Sequence, residues 1–315
     1  MSEAKTAFAD ALNHEKPLLL DGGLATQLEA QGYDIHNALW SASLLCADPD
    51  AILAASRAYL EAGAECIATA SYQASREGFA TLGFSAEEAD RLMRLSVDLA
   101  IQARDEFLAE HPEAARPLVA ASIGPYGAIL HDGSEYTGDY DITHDDLKLF
   151  HRTRLHVFDS SDADVLALET IPALAEAQVL AELLYDCETP AWVSFSCCDG
   201  QHISDGTPIE DVVSLFRTHP TVVAVGVNCT PPQYVTSLIG RIRQAVPDRA
   251  IIAYPNSGER YNAADGTWSG TVSPRDCAAA ASDWVEAGAK IVGGCCRMGP
   301  THISAIALAL RENDR

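Results

Sequence analysis

Two adjacent cysteines, Cys295 and Cys296, follow a short apolar run, Lys290-Ile291-Val292, across a glycine pair, Gly293-Gly294. Neighbouring residues of a regular strand point to opposite faces, so two such thiols serve one centre only where the backbone leaves strand geometry, which glycines permit. A third thiol stands in similar surroundings: the β-rich run Val222-Val223-Ala224-Val225-Gly226-Val227-Asn228 ends in Cys229, just before Thr230-Pro231. Three thiolates on two strand ends suit a soft divalent metal, and three protein ligands rather than four suggest an open Zn2+ site with its fourth position left for substrate. A substrate thiol bound there would be deprotonated at neutral pH and still nucleophilic.

The other cysteines weigh differently. Cys46, Cys66, Cys187 and Cys277 are scattered and read as small buried hydrophobes. Cys197-Cys198 is a second vicinal pair after a β-rich run and competes for the metal, but it lacks the glycine corner. Asp21 and Glu169 each end an apolar run; they could cap turns, or act as paired carboxylates for a substrate ammonium group. Trp40, Tyr72 and Tyr126 fall in connecting loops, either packing there or forming an apolar, π-rich wall for a cationic donor. The histidines include no pair at metal spacing, and no nucleophile elbow or phosphate loop is present.

The elements that must position these groups alternate along the chain. Apolar runs end at Asp21, Ala70, Ile123, Glu169, Ser196, Cys229, Tyr254 and Cys295, and helical segments separate them. Asp48-Pro49 starts a helix to about Ala62, with Gly63 as its stop. Ser85 and Glu88 form a capping box for a helix to about Leu108, Thr143 opens one towards Ser160, and another runs from Ala173 to Cys187. Eight strand-helix alternations with longer strand-to-helix loops predict an α/β fold, a single (β/α)8 TIM-type barrel in one domain over 1–315, the barrel proper spanning 17–311. An open doubly wound sheet is the rival, but the first strand lacks the Gly-rich dinucleotide turn. In the barrel, Asp21, Glu169, Asn228, Cys229, Cys295 and Cys296 share the C-terminal rim, where such barrels keep their active sites.

Composition narrows the partners. A formal net charge of -24, from 45 acidic and 21 basic residues, disfavours nucleic acid and anionic membranes. No apolar run can span a bilayer and no signal peptide is recognisable at the N-terminus, so a cytoplasmic protein is expected, with a monomer as the simplest assembly. Nine cysteines in 315 residues are too few for a disulfide scaffold, and in a reducing compartment clustered ones point to metal or catalysis.

Gly293-Gly294-Cys295-Cys296-Arg297, Gly226-Val227-Asn228-Cys229, Leu20-Asp21-Gly22-Gly23, Ser122-Ile123-Gly124-Pro125-Tyr126-Gly127-Ala128, Asp132-Gly133-Ser134-Glu135-Tyr136 and Tyr254-Pro255-Asn256-Ser257-Gly258-Glu259 closely resemble the zinc-dependent homocysteine S-methyltransferases, especially the branch using S-methylmethionine. The likeness runs from about Leu18 to Ala309. It implies a (β/α)8 barrel in which Cys229, Cys295 and Cys296 bind Zn2+, and positions Asp21, Gly22, Gly23 and Glu169 that help hold the polar end of homocysteine. It also implies methyl transfer from S-methylmethionine or S-adenosylmethionine to homocysteine, giving methionine. Betaine-using relatives share the metal motif, so betaine is the alternative donor. A redox sensor or zinc store built on the same cysteines is the alternative from another class. Cys197-Cys198 is outside the family pattern.

Overall fold

The computed structural model describes residues 3–34, 40–258, 260–262, 267–269 and 273–312; at 3–5, 40, 260–262 and 267–269 only the backbone is described. Eight parallel strands run in chain order: β1 (Leu18–Leu19), β2 (Cys66–Ala68), β3 (Leu118–Ile123), β4 (Val165–Ile171), β5 (Ala191–Phe195), β6 (Val222–Asn228), β7 (Ala250–Tyr254) and β8 (Ile291–Val292). From β2 to β8 each strand pairs with its sequence neighbours, and β8 pairs with β1. Between β1 and β2 the ring is joined by a bridge of Leu20 to Cys66, where the Asp21 N–H donates to the Cys66 carbonyl at 3.0 Å and the Glu65 N–H to that of Leu19 at 2.8 Å. The predicted (β/α)8 barrel is the observed fold.

Successive strand side chains point to opposite faces, and this divides the apolar residues between two cores. Leu20, Cys66, Ala120, Ala167, Trp192 and Ile252 fill the barrel interior. Their neighbours Leu19, Ile67, Ala121, Leu166, Val193 and Ile251 pack outwards against the helices. The expected helices are present as Pro49–Glu61, Ala86–Glu110, His144–Asp159 and Leu174–Leu183. Asp48, Ser85 and Thr143 cap the first three, each accepting a backbone N–H from the first turn, and Ser85 and Glu88 complete the expected capping box.

Two features differ from the sequence reading. The segment before the barrel proper, for which the sequence reading named no element, contains a helix, Glu3–Leu12. Its Ala7, Phe8, Ala11 and Leu12 form one apolar face whose period is diluted by polar neighbours. Phe8 is fully buried in the interior core, its ring 5.6 Å from that of Trp192, so this helix closes the barrel end opposite the predicted rim. The loop after β7 carries a short antiparallel pair, Arg260–Asn262 with Thr267–Ser269. Among the described residues no helix is long and apolar enough to cross a membrane.

Candidate active site

The first and last strands are only two residues long because both chains leave the sheet early to build the rim. The loop after β1 passes directly beneath the loop after β8: the Gly23 N–H donates to the Met298 carbonyl at 3.0 Å. A Cβ on Gly22 would lie 2.0 Å from that carbonyl oxygen, and one on Gly23 would lie 2.8 Å from the Cys295 carbonyl oxygen. These glycines are therefore needed for close backbone approach. Tyr59 fastens the same crossing, donating its hydroxyl proton between the carbonyls of Gly23 at 2.8 Å and Met298 at 3.1 Å.

The crossing holds Cys295 and Cys296 against Cys229, the three sulfurs lying within 4.8 Å of one another. Cys229 stands at φ 44° and Arg297 at φ 67°, left-handed values that side chains other than glycine adopt at a cost and that often mark functional turns. In this structure Cys229 and Cys295 are joined as a disulfide, with the Cys296 sulfur 3.7 Å from that of Cys229. The sequence reading had all three as thiolate ligands of one metal. Placing thiols this close makes oxidative pairing possible without moving the backbone, and metal binding would require the pair to be reduced, since the thiolate is the ligand. Burial pushes the Cys296 thiol up to about 11, so a cation is needed to hold it deprotonated at neutral pH. Three convergent sulfurs of this kind fit Zn2+ as donors.

A cavity with about 1040 Å3 of empty space, its open mouth included, lies over these sulfurs and reaches into the barrel. Asp21, Gly22, Gly23, Glu169, Tyr72 and all three cysteines line it. Asp21 accepts the Ala68 N–H at 2.8 Å, and Glu169 accepts the hydroxyls of Ser122 and, at 2.9 Å, Tyr254. Burial raises both carboxyls; Asp21, with the Glu169 charge adding to the effect, reaches about 8. No basic side chain pairs with either among the described residues. Two buried carboxyls without a basic partner can accept a cation that arrives with a ligand.

Tyr72 keeps its place at the wall, but Tyr126 does not join it. The Tyr126 N–H donates to Glu176 at 2.7 Å and its ring packs on Tyr140 and Phe150, 5.5 and 5.2 Å between centroids, so it belongs to a structural cluster behind the cavity. Trp40 begins a short 3-10 turn, Trp40–Ser43, and its side chain lies outside the described residues. Asn228 is fully buried beneath the rim rather than on it. Its Oδ1 accepts the Thr170 N–H at 2.7 Å and the Ser194 hydroxyl at 2.8 Å, while its Nδ2 donates to the Thr170 hydroxyl oxygen at 2.7 Å. Asn228 therefore clamps Thr170, itself at φ 62°, directly after Glu169.

Cys197 and Cys198 stay outside the sulfur group. Cys197 is buried in the outer core, its N–H donating to the Thr230 hydroxyl at 3.0 Å, and the Cys198 sulfur faces the Ile203 carbonyl at 3.3 Å. Sequence reasoning assigned no role to Ser122, Thr170, Trp192 or Tyr254, which orient the carboxylates or line the cavity. Tyr254 stood at the end of an apolar run, and that position was the available signal.

Replacing Asp21 by Asn separates charge from shape. A carboxyl raised from 3.8 to about 8 stays protonated in the fold where the unfolded chain has already ionised, so its contribution to stability falls as pH rises between those values. Asn still accepts the Ala68 N–H and has no charge to bury. Asp21→Asn is expected to melt above the parent at pH 8 and to converge with it near pH 4, as thermal unfolding across pH would show.

Residues 18–310 match the sequence model of the homocysteine S-methyltransferases. Homocysteine S-methyltransferase YbgG of Bacillus subtilis is 48% identical over 299 residues, which cover 94% of this chain and 95% of the relative. The crystal structure of the homocysteine methyltransferase MmuM from Escherichia coli in its metallated form has a TM-score of 0.85 and 40% identity, covering 97% of this chain and 99% of that one. The oxidized form of the same protein matches equally, at 0.85 and 40%, covering 98% and 99%. On the extent of these matches, this chain belongs to the homocysteine S-methyltransferase family and is a methyltransferase.

Proposed function

We propose that the enzyme transfers a methyl group from the sulfonium of S-methylmethionine, or of S-adenosylmethionine, to the thiolate of L-homocysteine held at Zn2+ by Cys229, Cys295 and Cys296. The convergence of three sulfurs with two cation-seeking carboxylates in one cavity carries this reading. When bound, Zn2+ would supply a fourth ligand position at which a thiol loses its proton and remains nucleophilic. Asp21 and Glu169 would take the homocysteine ammonium group, with Ser122 and Tyr254 fixing the Glu169 carboxylate and Asn228 fixing the loop after it. The deeply set cavity would hold acceptor and donor in line, a positioning effect that can account for much of the rate.

In the transfer, the bond between the methyl carbon and the donor sulfonium breaks and its electron pair stays on the donor sulfur. The homocysteine sulfur forms the new bond, its proton having left when the thiolate formed. From S-methylmethionine the products are two molecules of methionine and one proton. The reading requires Cys229 and Cys295 in their reduced state and so fits a reducing compartment such as the cytoplasm. A non-catalytic redox sensor would use the sulfurs but gives the carboxylates no role.

The cavity favours a small cationic donor. Arg297 is the one basic residue among its described lining, and it is engaged by Glu29 at 3.4 Å, so no anion cradle is formed. S-methylmethionine turnover is expected to exceed that of betaine under matched conditions, measured by mass spectrometry of methionine formed from isotopically labelled donors. Equal or faster betaine use would overturn the donor assignment, and no labelled methionine from any donor would remove the enzymatic reading.

A further inference from the structure

Glu135 lies in the loop between β3 and the helix His144–Asp159, in the short turn Ser134–Tyr136. The turn is tightly held. The Ser196 hydroxyl donates to the Glu135 carbonyl at 3.1 Å, Asp132 accepts the Ser134 N–H at 2.9 Å, and a Cβ on Gly127 would lie 2.6 Å from the Glu135 nitrogen. The side chain lines the cavity, and its Oε2 is buried without a hydrogen-bond partner. No salt bridge is formed by this carboxylate among the described residues, and burial pushes its carboxyl up. A buried carboxylate oxygen without a partner is costly, and in a substrate cavity it marks a place for positive charge that arrives with the ligand.

Its neighbours say which charge. Tyr72, Tyr136 and all three cysteines line the same cavity as Glu135, and Tyr136 follows it in the turn. Glu135 therefore shares one cavity with the sulfur centre. The donor group that must come nearest that centre is the sulfonium, because its methyl carbon is delivered to a sulfur bound there. A sulfonium has no N–H or O–H to donate, so it is recognised by negative charge and aromatic surface. We propose that Glu135, with Tyr72 and Tyr136, forms the subsite for the sulfonium of the methyl donor. This rests on the sulfonium-donor reading above and names the residues that would enforce it. The positive charge is greatest in the bound donor and is dispersed during transfer, so the subsite acts on donor binding more than on the rate of the bound complex.

Glu135→Gln is to be compared with the parent on S-methylmethionine and on dimethylsulfonioacetate, which carries a sulfonium but no ammonium. The variant is expected to raise the KM for both donors about tenfold, the effect of losing roughly 1.4 kcal/mol. Homocysteine KM and zinc content should remain near the parent values, and the thermal midpoint should not fall. A change below twofold for both donors would overturn the subsite. So would a rise confined to S-methylmethionine, which would place its ammonium group at Glu135. A parent enzyme that turns over neither sulfonium compound would defeat the donor assignment instead, and calorimetric titration with trimethylsulfonium ion then decides the subsite. Binding to the parent that weakens in the variant supports it, whereas equal binding or none to either overturns it.

Discussion

Cys229→Ser is expected to lose most of its zinc and to reduce methyl transfer by at least about two orders of magnitude, while keeping a cooperative thermal transition near that of the reduced parent. Cys229 lies on the exit of β6, and its sulfur meets those of Cys295 and Cys296 only because the loops after β1 and β8 cross beneath them. Serine keeps the Cβ and so adds no new backbone strain at φ 44°, and it changes little volume. The fold gains nothing essential from the missing sulfur, since the barrel around it closes through backbone pairing and two apolar cores. Cys197→Ser makes the complementary case. It places a hydroxyl in the outer core and should cost about 1–3 kcal/mol of stability, leaving zinc and activity nearly intact. Metal analysis, activity and melting of the two variants under reducing conditions check both. Full zinc and activity in Cys229→Ser, with loss of both in Cys197→Ser, would assign the metal to the other pair.

The barrel was legible because its strands are buried on both faces and read as continuous apolar runs, with strong caps at Asp48, Ser85 and Thr143 marking the helices between them. The sulfur centre was legible because a glycine pair before two cysteines has few other uses. What the sequence hid depends on distant pairing. The Glu3–Leu12 helix is short and only one of its faces is apolar, so its fit against Trp192 emerges only once the barrel has formed. Tyr126 and Tyr72 occupy equivalent loops and cannot be told apart by type, yet Glu176 draws one backwards into a cluster with Phe150. Asn228 precedes a cysteine and reads as a rim group, but the inward phase of β6 buries it, and Thr170 takes up its hydrogen bonds. Glu135 sat within a recognisable motif, and its missing partner is a property of three-dimensional packing alone.

Glu169→Gln should raise the homocysteine KM by about 10–100-fold and leave zinc content unchanged, the size of effect expected for a hydrogen bond between charged groups. The amide keeps one oxygen to accept from Ser122 or Tyr254 but loses the charge that would meet the substrate ammonium. The variant should also move the pH dependence. In the ligand-free enzyme, burial and the neighbouring Glu169 charge hold Asp21 protonated up to about pH 8, so binding an ammonium group there must expel a proton. Homocysteine affinity in the parent should therefore strengthen as pH rises towards 8, where that proton is already leaving. Removing the Glu169 charge takes away one of the two causes that raise the Asp21 carboxyl, so the rise in affinity should shift to lower pH in Glu169→Gln even as affinity weakens overall. Homocysteine KM measured from pH 6 to 9, beside zinc content, tests both parts. Lost zinc with an unchanged homocysteine requirement would show that Glu169 serves the metal and not the substrate, and an unshifted pH profile would show that the two carboxylates do not act on one ammonium group.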